Sequence, residues 1–485
     1  MNHRYRPGIL AVLLLAALTA CSSSEAPTGA TPPVVDGSAT PRAVCGPGSN
    51  PEIGLQGRVS QEEHDNGRAL DGYTCNMEVV GSHIVPAAIG TVGGFKVERY
   101  TDAAGHDCAY YDTTLTFPTN LVDGEAGVNV LDMADPANPV LTRRLLSIAM
   151  LSPHESLIVN HERGVLAAVA GNAALLPGVV DLYDISQDCR QPVLKSSLPL
   201  AIAGHESGMS PDGMTYYVGS PGTPTLTAID ISNLSLPRPL AILPYCSHGL
   251  SISADGNRAY LAGVGVPGAA CAFAVTCALP DPNMDRALVI LDISEIQARK
   301  PNPQVREISR LTWSPMSIPQ NAIPFTQQGK PYLLEIDEFA RGGEVGAARI
   351  IDISDETQPK VISDLRLEVH NAEHFDTVRG DPGNQFIGQG YAGHYCNVPT
   401  RVDPTIVACS MIVSGLRVFD IRDPARPREV AYFNPPMNPR LTPYLVASGY
   451  AMASPSFVPE RKEVWYSDVY KGFYALKLTN GAWPD

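Results

Sequence analysis

The chain has 485 residues, 44% hydrophobic and 18% charged, with a formal net charge of -15. It is too apolar for a disordered chain, and its charge excludes a nucleic-acid binder that works by neutralising phosphates. Gly (42) and Pro (43) together make about one residue in six, which favours many short elements joined by turns over long helices.

The first element in chain order is an export signal. Arg4 and Arg6 precede an apolar run from Ile9 to Leu18, followed by Thr19-Ala20-Cys21. A basic start, an apolar core of about ten residues and small residues at the cut describe a secretory signal over residues 1–20. The core is too short to span a bilayer. Leu-Thr-Ala-Cys resembles the bacterial lipobox, and the resemblance implies that Cys21 becomes the acylated first residue and tethers the protein to a membrane. An ordinary signal with a chance cysteine is the other reading. Residues 21–44, rich in Ser, Pro, Gly and Thr, are expected to form a flexible tether, with residues 45–485 a single domain. The expected location is outside a bacterial cytoplasmic membrane, periplasmic or at the cell surface, as a monomer.

Nine further cysteines would meet an oxidising compartment, where disulfides are the default. Cys271/Cys277 and Cys396/Cys409 are expected to staple one loop each. Cys45, Cys75 and Cys108 compete for partners near the N-terminus, and Cys189 is a candidate partner of Cys246. Nine is odd, so one thiol is left over.

From Val128 onward one motif recurs. Val128-Asn-Val-Leu-Asp-Met aligns with Val180-Asp-Leu-Tyr-Asp-Ile, Leu226-Thr-Ala-Ile-Asp-Ile, Leu288-Val-Ile-Leu-Asp-Ile, Ala348-Arg-Ile-Ile-Asp-Ile and Leu416-Arg-Val-Phe-Asp-Ile. Their aspartates are Asp132, Asp184, Asp230, Asp292, Asp352 and Asp420. Asp-Pro-x-x-Pro turns follow several, as at Asp135 and Asp423. Upstream, Asp212-Gly213 and Asp255-Gly256 sit between strand patterns, a hairpin signal because Gly accepts the positive φ of a tight turn. Each unit therefore reads as four antiparallel strands with a variable loop. Repeated at a period of roughly 40–60 residues, that is a propeller blade.

This core with its Asp-Pro tail resembles the LVIVD repeat, over about residues 75–478. That family occurs in exported bacterial proteins of undefined function, and the resemblance implies a β-propeller. Six cores plus the C-terminal strands around Glu463 and Gly472 predict an all-β propeller of seven four-stranded blades, six being the alternative. An N-terminal strand near Gly54–Val59 is expected to close the ring, since an open blade would leave unpaired edges. The six repeat aspartates are expected to cap turns by accepting backbone N–H bonds, not to catalyse.

Several histidines share one place in the repeat. His154, His205 and His248 precede the first strand of their blades, and His370 falls at the same offset after a last strand. Gln320-Asn321 and Tyr450 take that place in other blades. Innermost strands line the channel, so these four histidines, with Glu155, Glu206, Glu373 and His374 beside them, are expected at one channel mouth. Converging imidazoles suit copper, zinc or manganese. Propellers of the selenium-binding-protein and methanethiol-oxidase family similarly hold copper through channel-facing histidines, an analogy of position only. The other explanation is packing, each histidine bonding a neighbouring blade's backbone. His161, His394, His64, His83 and His106 are expected to be incidental.

No nucleophile elbow, P-loop, His-Glu-x-x-His helix or dinucleotide fingerprint is present. Two functions follow. One is a lipid-anchored scaffold presenting the channel mouth and inserts 263–287 and 388–414 to a protein, peptidoglycan or glycan partner. The alternative is a metal-dependent oxidoreductase or hydrolase built on the histidines.

Overall fold

A computed structural model describes residues 37–84, 91–114, 125–171, 177–268, 270–271, 285–341, 344–385, 389–437 and 449–484. Seven antiparallel four-stranded sheets stand as the blades of a β-propeller. Blade 1 is Val97–Thr101, Asp107–Asp112, Val128–Asp132 and Val140–Leu145, named from channel to rim. Blade 2 begins at Ile158–Asn160, blade 3 at Ser207–Met209 and blade 4 at Ser247–Ile252. Blade 5 begins at Ile318–Gln327, blade 6 at Tyr395–Asn397 and blade 7 at Ser456–Val458.

The repeat core is the third strand of each of the first six blades, and it is buried on both faces. In Val128–Asp132 and Ala348–Asp352 only the terminal aspartate reaches solvent in part. The reason is lateral packing, because each blade is sandwiched between two others. Val165, Val180 and Leu182 of blade 2 pack with Tyr216, Val218 and Ile229 of blade 3. Leu288 and Ile290 of blade 4 likewise meet Leu333 and Ile351 of blade 5. The last such core joins Trp465 and Phe473 of blade 7 to Ala109, Tyr111 and Leu131 of blade 1, so the ring is complete.

All six repeat aspartates do what their position suggests. Asp132, Asp184, Asp230, Asp292, Asp352 and Asp420 each accept the backbone N–H two residues on, at 2.8–3.1 Å. Gly213 and Gly256 hold φ of 65° and 75° in their hairpins.

Closure differs from expectation. The outermost strand of blade 7 is Met77–His83, paired from Met77↔Leu478 to His83↔Phe473. Gly54–Val59 forms no strand. Gly57 has φ 87°, which breaks extension, and Leu55 packs instead on the core between blades 5 and 6. Tyr73–Cys75 adds a fifth strand outside blade 6. The tether expected to run to Val44 is fixed earlier. The Thr40 N–H donates to the Arg366 carbonyl at 2.7 Å, and the Pro41 carbonyl accepts from the Glu429 N–H at 2.9 Å.

Among the described residues four disulfides staple the fold, Cys45–Cys75, Cys108–Cys189, Cys246–Cys271 and Cys396–Cys409. The expected Cys271/Cys277 and Cys189/Cys246 pairs are replaced. Cys189 ends up beside blade 1, where its N–H donates to Asp102, and Cys271 lies in a short strand paired to the second strand of blade 4. Cys21 and Cys277 lie outside the described residues. Of the two expected inserts, residues 388–414 hold the first two strands of blade 6, Tyr395–Asn397 and Ile406–Ser410. The long connection is 366–394, between blades 5 and 6.

Candidate metal centre in the channel

The first strand of each blade starts at the same end of the channel, where residues just before or within its opening turn point at one another. His154 precedes blade 2, His205 precedes blade 3, His248 lies in the first strand of blade 4 and His394 immediately precedes that of blade 6. Backbone bridges Glu155↔Glu206 and Glu338↔Gly393 hold adjacent blade tops in parallel. His154 has φ 51°, a left-handed conformation costly for a side-chain-bearing residue and common where function demands a fixed direction. The rings pack in sequence around the channel. Centroids lie 4.4 Å apart for Phe95 and His154, 4.3 Å for His154 and His205, and 4.9 Å for His205 and His248. His394 stacks on Phe95 at 5.2 Å.

Glu155 sits among them, 2% exposed. Its Oε2 lies 3.1 Å from His205 Nε2 and 3.8 Å from His248 Nε2. Its Oε1 lies 3.3 Å from His394 Nε2 and 3.8 Å from His154 Nε2. A second carboxylate, Glu338, is 3.6 Å from both His248 Nε2 and His394 Nε2. Most of these separations are long for hydrogen bonds. They match two donors of one ion, because bonds of about 2.1 Å at near-tetrahedral angles place ligand atoms about 3.4 Å apart.

The outer ring nitrogens explain the orientation. His248 Nδ1 lies 2.9 Å from the Pro319 carbonyl oxygen, and His394 Nδ1 lies 2.7 Å from that of Met452. A carbonyl only accepts, so Nδ1–H donates outward and Nε2 of each ring is the nitrogen that faces inward. Burial drives the His248 pKa down to about 3, so this ring is neutral. Burial opposes ionisation of Glu155, yet the imidazoles of His205, His394 and His154 outweigh it and hold the carboxyl well below its usual range. The neutral His248 ring therefore turns a lone pair toward the Glu155 carboxylate, an arrangement that a cation between them would satisfy. Both ring nitrogens of His205 and Nε2 of His394 lack a well-aligned hydrogen bond among the described residues. Donation of the outer nitrogen to a backbone carbonyl is also the usual support of a metal-binding histidine, so the packing explanation and the metal explanation coexist.

Polar neighbours complete the chamber. Gln320 Nε2 donates to Glu155 Oε2 at 2.7 Å and to the Tyr395 hydroxyl at 3.0 Å. Asn321 Nδ2 donates to Glu206. Lys96 Nζ lies 3.3 Å from Glu206 Oε1 and 4.0 Å above the Tyr395 ring. Burial foremost raises the Glu206 pKa to about 8. Gly249 makes room for Glu206, since a Cβ there would fall 1.7 Å from Glu206 Oε2. Gln389 Nε2 donates to Glu338 Oε1 at 2.8 Å, and the Tyr450 hydroxyl donates to Gln389 Oε1 at 2.7 Å.

Three of the four expected histidines thus converge, with Glu155 and Glu206, and Gln320, Asn321 and Tyr450 hold the expected equivalent places. His370 does not join them. It closes a 3-10 turn, Glu368–His370, at the start of the long connection, and its Nδ1 accepts from the Leu367 N–H at 3.2 Å. Burial, then the cations Arg366 and Arg417, hold its pKa well below the usual value, surroundings unsuited to another cation. Glu373 and His374 lie on the same connection, 4.0 Å from each other, Glu373 well exposed. His394, expected to be incidental, takes the place of His370, because the connection runs on well past His370 before the inner strand begins at Tyr395. Position directly before that strand was the usable signal. Glu338 has no repeat-level marker, since it ends the unusually long second strand of blade 5, Lys330–Glu338.

A second cluster, Asp102, His106 and Asp188, has a structural explanation. Asp102 accepts from the N–H groups of Ala104, His106 and Cys189 at 2.9–3.0 Å and so anchors the Cys108–Cys189 staple.

No protein-family model matches the chain, and no curated protein does. Solved structures do. The β-propeller domain of Cps50 (Swd1) from Myceliophteria thermophila aligns at a TM-score of 0.49 and 11% identity, over 83% of this chain and 100% of that one. Periplasmic gluconolactonase from Pseudomonas aeruginosa aligns at 0.46 and 12%, over 70% and 84%. Kuenenia stuttgartiensis hydrazine synthase aligns at 0.43 and 14%, over 80% and 96%. At these identities the likeness is one of fold.

Proposed function

We propose that this chain is an exported, lipid-anchored LVIVD-type propeller whose channel holds a transition metal, copper, zinc or manganese, for oxidoreductase or hydrolase chemistry. The observation that carries the reading is the convergence of four buried Nε2 atoms on the Glu155 carboxylate, two of them with the outer nitrogen tied to a neighbouring blade's carbonyl. His154, His205, His248 and His394 would hold the ion, and Lys96, Glu206, Gln320, Asn321 and Tyr395 would shape the space around it. A bound ion would supply Lewis acidity or electron transfer in a site screened from water. Four disulfides suit an oxidising compartment, and no helix among the described residues is long and apolar enough to cross a membrane. The lipobox-like Leu18-Thr19-Ala20-Cys21 makes Cys21 the proposed attachment point. A scaffold for a protein, peptidoglycan or glycan partner would account for the loops at the channel mouth and for the inter-blade bonds of His248 and His394, but it gives the Glu155 carboxylate at their centre no chemical role.

Elemental analysis of tag-free protein purified from an exporting host tests the reading. Near-stoichiometric copper, zinc or manganese is expected, lost in His205→Ala and retained in His161→Ala. Metal-free protein that takes up none of the three at micromolar concentration would refute it.

A further inference from the structure

One turn departs from the repeat. In four blades the capping aspartate pairs with the outer-strand residue eight positions on, Asp132 with Val140, Asp230 with Arg238, Asp352 with Lys360 and Asp420 with Arg428. Blade 2 takes nine positions, Asp184 to Val193, and blade 4 takes fourteen, Asp292 to Arg306. The added length in blade 4 is ordered. It forms the helical turn Ser294–Gln297 and runs on over Pro301 and Pro303, with Arg299 and Asn302 at φ 54° and 52°. Left-handed backbone is unfavourable for arginine and persists where the surroundings impose it. Blade 3 does so here. The Arg299 guanidinium donates to the Thr215 hydroxyl and, at 2.8 Å, to the Met214 carbonyl, and Gln297 Nε2 donates to Asp212 at 2.7 Å.

Between this excursion and the outer strand of blade 3 lies a cavity of about 230 Å³. Arg238, Arg299 and Lys300 line it together with Leu240, Ile296 and Pro301, and no acidic residue does. The carboxylates that meet these cations stand outside the lining. Asp230 Oδ2 lies 3.3 Å from Nε and Nη2 of Arg238, and its Oδ1 lies 4.0 Å from Arg299 Nη2. Glu295 Oε1 lies 3.1 Å from Lys300 Nζ. Three cations thus share two carboxylates, so the cavity keeps a positive excess in a chain of net charge -15. Nη1 of Arg238 and two N–H bonds of Lys300 have no acceptor among the described residues. The channel histidines stand where first strands begin and outer strands end, whereas this cavity stands where an outer strand begins, at the other end of the blades.

We propose that this cavity binds a small organic anion, one carboxylate or phosphate group on an apolar body. The charged group lies between Arg238 and Lys300, and the body rests on Leu240, Ile296 and Pro301. The planar arginine fork matches two oxygens of a carboxylate or phosphate side by side. Pro301 and Pro303 fix the backbone of the far wall, so it stands ready before the ligand arrives and little ordering is needed on binding.

The experiment is a ligand-observed NMR titration of the mature protein with benzoate and with phenyl phosphate, and with benzamide as the uncharged counterpart. Saturable binding of at least one anion at millimolar concentration is expected, with benzamide at least about tenfold weaker because it forgoes charge-assisted hydrogen bonds. The double variant Arg238→Gln/Lys300→Gln should weaken the anion by at least about tenfold on the same ground. Those side chains are 74% and 57% exposed, so the fold should survive, as its melting curve will confirm. Binding should persist in His205→Ala, which alters only the channel. No binding of either anion, or benzamide binding as tightly as benzoate, overturns the proposal. So does undiminished binding in the double variant, or binding lost in His205→Ala, since either places the anion elsewhere.

Discussion

Replacing Gly81 by alanine tests which strand closes the ring. Gly81 lies in Met77–His83, just past the bulge that follows Val79. A Cβ there would fall 2.2 Å from the Pro136 carbonyl oxygen and 2.8 Å from the Ala137 carbonyl carbon. Both atoms are backbone of the Asp-Pro turn of blade 1, so no side chain can swing aside. Strand and turn must part by about 1 Å to restore ordinary contact distances. Overpacking of this kind costs about 1–3 kcal/mol. At roughly 2 °C per kcal/mol in a chain of this size, Tm should fall by about 2–6 °C. Gly54→Ala is the control. Gly54 belongs to the segment expected from sequence to close the ring, and nothing stands within 4 Å of where its Cβ would be. Its Tm should move by less than about 1 °C, as for most exposed substitutions. Scanning calorimetry of both variants decides the matter. An unchanged Tm for Gly81→Ala beside a lowered one for Gly54→Ala would refute closure by Met77–His83.

Histidine identity separates the expected site from the one observed. His394→Ala should weaken Zn(II) binding at least about tenfold while His370→Ala leaves it within error, and isothermal titration giving the reverse order would return His370 to the site. Among the staples, Cys108–Cys189 spans 81 residues and Cys396–Cys409 spans 13. On chain entropy their removal should cost about 4–5 and about 3 kcal/mol respectively, so equal urea midpoints for the two double-alanine variants would contradict the ranking. Asp112 is buried, its two oxygens accept from the N–H groups of Phe95 and Lys96 at 3.1 Å, and burial pushes its pKa up to about 7. A carboxyl raised by folding keeps a proton that the unfolded chain releases near pH 4, so its contribution to stability is full at low pH and lost as pH climbs to about 7. Urea unfolding between pH 5 and 8 should show that decline, flattened in Asp112→Asn; the same slope in both proteins would contradict it.

The blade pattern was legible because it is local and repeated. Six Asp-Ile cores, the Asp-Gly hairpins and the Asp-Pro turns each encode a strand end through hydrogen bonds between near neighbours in sequence, and all six aspartates cap as their spacing implies. The apolar runs Val128–Asp132 and Ala348–Asp352 had to be buried on both faces, and a ring of blades is what offers two faces. Met77–His83 carries no repeat motif and pairs with Gly472–Leu478 at the opposite end of the chain, so its role emerges only when the ring comes round. The cysteine partners and the fourth histidine depend on how far a connection runs before the chain re-enters the channel. His370 and His394 lie at the two ends of one such connection, and only the second stands against the inner strand. Strand registers are written in neighbouring residues, whereas the channel's contents are the sum of seven registers and every loop length between them. That sum placed Glu338 of blade 5 beside histidines of blades 4 and 6, and it exists only in the closed ring.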